Sequence, residues 1–64
     1  MANRKQLIEI LQIAERYEPG ETVCAEHDII YFLPPDTELS LEDRKRLEEL
    51  RCTRSEYEGW SCFV

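Results

Sequence analysis

Ile29, Ile30, Tyr31, Phe32 and Leu33 stand in an unbroken row and end on Pro34 and Pro35. β-Branched and aromatic side chains favour a pleated strand. Neither proline can donate to a ladder, so the strand stops at Leu33. Alternate side chains of a strand face opposite ways. Ile29, Tyr31 and Leu33 should point one way, and Ile30 and Phe32 the other. A strand apolar on both faces calls for cover on both, and the rest of the chain has to supply it.

Upstream, Asn3 and Gln6 have the spacing of a capping box. Leu7, Ile10, Leu11, Ala14 and Tyr17 then recur at helical spacing, widened by Ile8 and Ile13. A helix is expected from Arg4 to Tyr17, stopped by Pro19 and Gly20. Thr22 to Ala25 is a short β-prone run. Glu26, His27 and Asp28 separate it from Ile29, which reads as a hairpin. Downstream, Ser40 and Asp43 mark a second helix start. Leu41, Leu47 and Leu50 give it a thin apolar stripe. Glu42–Arg46, Arg44–Glu48 and Lys45–Glu49 are spaced for ion pairs. Cys52 to Ser55 reads as a strand, Glu56 to Gly59 as a turn and Trp60 to Val64 as a final strand. In that strand Trp60, Cys62 and Val64 share one face and Ser61 and Phe63 the other. The order α-β-β-α-β-β predicts an α+β fold, a small, mostly antiparallel sheet with two helices packed on it.

A chain of 64 residues is a single domain, residues 1–64. Domains of this size bury only about 60% of their unfolded surface, so a metal or a partner would be a useful support. No apolar run approaches the roughly 18 residues of a membrane span. Glu9, Gln12 and Glu15 interrupt what would have to be a signal-peptide core. A cytoplasmic location is the expectation, and three cysteines, an odd number, suit free thiols there. The net charge of −6 is concentrated. Residues 18–40 carry Glu18, Glu21, Glu26, Asp28, Asp36 and Glu38 and no basic side chain. A nucleic-acid surface needs the opposite sign. An acidic middle suits a basic protein partner or plain solubility.

Three constellations could carry chemistry. Cys24 and His27 have ligand-like spacing, and Cys52 and Cys62 would complete a Cys₃His zinc set. The competing reading is buried, inert thiols, because Cys62 sits in an apolar strand. Cys24 with His27, oriented by Glu26 or Asp28, is the form a cysteine-dependent enzyme would take. No glycine-rich loop accompanies it, and so small a domain leaves little room for a pocket. Finally, Ile30, Phe32, Tyr57, Trp60 and Phe63 are more apolar surface than two helices can cover. Surplus of that kind marks a protein interface, with another chain or with a second copy.

The run from Ala25 to Phe32, then Leu39, Ser40, Glu42 and Asp43, then Leu47 to Leu50, then Glu56, Tyr57 and Trp60, resembles short acidic proteins that occur as conserved hypotheticals in phage and bacterial genomes. The resemblance covers residues 25–64 and implies a phage-associated accessory protein. It implies no activity and no catalytic residue.

The leading expectation is a non-enzymatic protein-binding module without a cofactor. It would be a phage or mobile-element factor acting on a host protein, homo-oligomeric, binding neither nucleic acid nor membrane. A structural zinc module on Cys24, His27, Cys52 and Cys62 is the alternative, and a cysteine-dependent enzyme is the third reading.

Overall fold

A computed structural model describes residues 3–63. Its elements are α1 (Arg4–Tyr17), β1 (Cys24–Glu26), β2 (Ile29–Leu33), α2 (Leu41–Glu49), β3 (Thr53–Ser55) and β4 (Gly59–Phe63). The order is the α-β-β-α-β-β expected, and the four strands form one antiparallel sheet ordered β1-β2-β4-β3.

Local chemistry sets the helix ends. The Asn3 side chain accepts from the Gln6 amide at 2.8 Å, and the Gln6 side chain accepts from the Asn3 amide at 3.0 Å. This reciprocal pair satisfies two donors that a helix start leaves free. Ser40 caps α2 by accepting from the Asp43 amide at 3.2 Å. Past its last turn, the Cys52 amide donates to the Leu47 carbonyl and the Arg51 amide to that of Glu48. That pair is a Schellman motif, with Arg51 in the left-handed position at φ 67° where glycine is usual.

Both helices lie on one face of the sheet. Ile10, Ile13 and Ala14 of α1, and Leu47 and Leu50 at α2, meet Phe32, Leu33, Trp60, Cys62 and Cys52 in a single core. The face assignment within β2 differs from strict alternation. Tyr31 lies opposite Ser61 and Leu33 opposite Trp60, so β2 spends one more residue than β4 over this stretch. Such a bulge re-aims the residues beyond it. Phe32 and Leu33 are consequently both buried, and Leu33 leaves the face of Ile29 and Tyr31.

Smaller expectations also change. The strand before the hairpin begins at Cys24, and its turn is only His27 and Asp28, with His27 at φ 56°. Leu41 is 70% exposed, because Leu39, just before the helix, takes the place beside the core. Ile8 is exposed too. Of the three ion pairs foreseen along α2, Arg44–Glu48 forms at 3.7 Å. Arg46 turns instead to Glu9 of α1, at 2.9 Å, and to Glu49. Gly59 opens β4 at φ 82°. A Cβ there would overlap the Leu33 carbonyl and lie 2.8 Å from the Pro34 carbonyl carbon, so only glycine lets the β3–β4 turn close on the end of β2. Val64, expected on the face of Trp60 and Cys62, lies outside the described residues.

Candidate functional site: the open face of the sheet

With both helices on one side, no element among the described residues covers the other face of the sheet. Residues directly opposite across antiparallel strands share a face. Cys24, Tyr31, Ser61 and Thr53 therefore form one row across all four strands. Glu26, Ile29 and Phe63 form the next. Phe63 is 59% exposed, and Ile29 and Tyr31 are half-buried. The register puts no lysine or arginine in either row. Arg54 belongs to the opposite set, across from Trp60, and its guanidinium donates to the Pro35 carbonyl at 2.8 Å.

At the end of this face an open cleft of about 310 Å³ runs between the α1–β1 connection and the β3–β4 turn. Cys24 and Tyr31 line it together with Glu18, Glu21 and Glu58, and among the described residues no cation does. The Tyr31 phenol is held above its ordinary value, first by desolvation and then by the facing Glu58 carboxylate, with Glu26 adding to it. An uncompensated negative potential there disfavours a further negative charge. A wider hollow between the helices has a different character. Its charges answer one another, Arg16 with Asp43 at 2.9 Å and Arg46 with Glu9.

The expected interface residues divide by face. Phe63 lies on the open face, and Tyr57, in the β3–β4 turn, is 90% exposed. Phe32 and Trp60 are 6% and 3% exposed and belong to the core, with Ile30 packed against it. Phe32 and Trp60 are not available to a partner, because the side of the sheet they occupy is the side the helices cover, and Ile30 is half-buried on that same side. Ile29 and Tyr31 take their place on the surface. Their sequence signal was present, since the two alternate with Ile30, but the choice of side depends on where the helices pack.

The proposed zinc set does not converge. Cys62 points to the core and Cys24 to the open face, so the sheet separates them. His27 occupies the hairpin turn, and among the described residues no three Cys, His, Asp or Glu are placed to hold a metal ion. Cys52 and Cys62 do lie together. Burial pushes the Cys52 thiol up to about 12, with the neighbouring Cys62 adding to the effect. Burial also raises Cys62. Neither is a ready nucleophile, since that role needs the thiolate. Cys24 borders the cleft but His27 does not, and no hydrogen bond joins the pair among the described residues. The cleft thus lacks the nucleophile–base contact that cysteine catalysis requires. No helix among the described residues is long and apolar enough to cross a membrane. Comparison with known proteins gave no matching family, no similar curated protein and no similar solved structure.

Proposed function

We propose that this chain is a non-enzymatic protein-binding module whose working surface is the open face of its sheet. One observation carries the reading. A domain this small leaves a whole sheet face uncovered, with Ile29, Tyr31 and Phe63 on it, while both its helices are committed to the other side. Exposed apolar area beside polar rims is what binding surfaces use. The cleft adds carboxylates but no paired nucleophile and base, which supports binding over catalysis. Three free thiols suit work in a reducing compartment such as the cytoplasm. A role in a phage or mobile element rests on the sequence resemblance alone.

Site-specific photocrosslinking tests the reading. A benzophenone amino acid at Thr53, on the margin of the open face, should give a discrete adduct in cells that express the protein. The same group at Lys45 on α2 should not, and Phe63→Ser should abolish the Thr53 adduct. Equal crosslinking from the two positions, or none from Thr53, would refute the proposal.

A further inference from the structure

The open face is small for a partner of its own shape. Two strands of five residues and two of three, about 4.8 Å apart and rising about 3.3 Å per residue, span on the order of 250 Å². A stable dimer uses about 800 Å² per partner. A second copy would also bring Glu26 and the acidic cleft up against an equally acidic surface, and like charges held opposite one another oppose pairing. The surface instead suits a strip of chain. It offers an apolar patch at Ile29 and Phe63, which are paired across β2 and β4, and an acidic cleft next to Tyr31 lined by no cation among the described residues. Resting on the protein-binding reading above, we propose that the face takes an extended basic segment of a partner protein. One apolar side chain of that segment lies on Ile29 and Phe63, and an arginine or lysine enters the cleft between Glu18, Glu21 and Glu58.

The chemistry fits each part. A guanidinium or ammonium in the cleft meets carboxylates with no competing cation, so its charge is answered on entry. The Tyr31 ring beside it offers an aromatic surface to the same cation. In a strand laid on the face, side chains two residues apart point the same way, so an apolar and a basic residue at that spacing reach the patch and the cleft together. The segment needs no folded domain behind it, which matches a surface too small for one.

Three synthetic peptides with serine at every second position provide the test: the remaining positions alternate between arginine and valine in the arginine–valine peptide, between arginine and serine in the arginine–serine peptide, and between glutamate and valine in the glutamate peptide, so that both kinds of side chain point to one side of the strand. Each is titrated into the full chain at about 0.15 M salt and followed by amide chemical shifts. The arginine–valine peptide should bind saturably, with shifts confined to Cys24, Ile29, Tyr31, Ser61, Phe63 and the turn at Glu58. The Glu21→Lys, Glu58→Lys double variant should weaken it by about tenfold or more, as should the loss of valine. Equal binding of the glutamate peptide, equal binding of the arginine–serine peptide, or shifts spread over α1 and α2 would each overturn the proposal. A crosslink from Thr53 without peptide binding would sink this inference and leave the binding-module reading standing. Loss of both would remove both.

Discussion

Arg51 occupies a backbone position that suits another residue. It lies at φ 67°, at the turn where α2 hands over to β3, and both Schellman hydrogen bonds of the motif are made. The hydrophobic contact that often accompanies the motif has its two side chains here as well, since Leu47 and Cys52 are both buried. The geometry is thus enforced from both sides while its central residue bears the left-handed penalty, roughly 1–2 kcal/mol for a residue with a Cβ. Glycine removes that penalty but adds freedom to the unfolded chain. Arg51→Gly should therefore stabilise the domain by about 0.5–1 kcal/mol, read as a raised midpoint in urea. A lowered midpoint would mean that the exposed arginine contributes something the turn geometry does not reveal. His27, at φ 56°, is the other non-glycine residue in this region among those described. It accounts for a turn shorter than the sequence suggests, because one left-handed residue lets two loop positions reverse the chain.

The helices are joined by polar contacts as well as by the core. Tyr17, in the last turn of α1, donates to the Asp43 carboxylate and accepts from the Ser40 amide at 3.1 Å. One phenol thus holds the first turn of α2, and Arg16 adds an ion pair to the same carboxylate. The Tyr17 hydrogen bond is the first cause that holds Asp43 below its ordinary 3.8, followed among the favourable contacts by Arg16. A carboxylate with a lowered folded value adds stability that is fully present above the ordinary value and is lost as pH falls through the lowered one. Tyr17→Phe should cost about 1–2 kcal/mol at neutral pH, and its gap from the parent should narrow as pH drops below about 3.8. Urea unfolding at both pH values measures this, and a gap independent of pH would contradict the assignment. The contact spans residues far apart in sequence, so periodicity alone shows Tyr17 only as the last apolar member of a stripe. The same limit explains the other departures. The capping box and stop signal of α1 are codes a few residues long, and they are legible. The bulge in β2 is not, because Ile30 to Leu33 are all apolar and any register buries something acceptable. Only Trp60 opposite Leu33 fixes it. The open face was half legible. Alternation separates Phe63 from Trp60 and Cys62, but which set meets water depends on α1 and α2 packing on the same side.

At the scale of the whole molecule, two helices and four strands make two layers where the central strand could have supported three. The single core draws on both helices and on the inner side of the sheet, so it should be lost as one unit. The three cysteines sample both sides of that division. Cys24 is exposed on the open face, while Cys52 and Cys62, neighbours in the core, are 5% and 3% exposed. Alkylation needs access and a thiolate, and burial denies the inner pair both. Iodoacetamide at about pH 8 should therefore give a single native adduct, at Cys24. The inner pair should become reactive together in urea, over the same range in which the emission of buried Trp60 shifts, because all three sit in the one core. Peptide mapping of the adducts along a urea series measures this. Reaction at Cys62 before the tryptophan transition would mean that the Cys62–Phe63 end of β4 frays from the sheet while Trp60 stays packed. The open face that β4 shares with β2 would then be a transient feature, and a binding surface built on Ile29 and Phe63 would lose its rigid support.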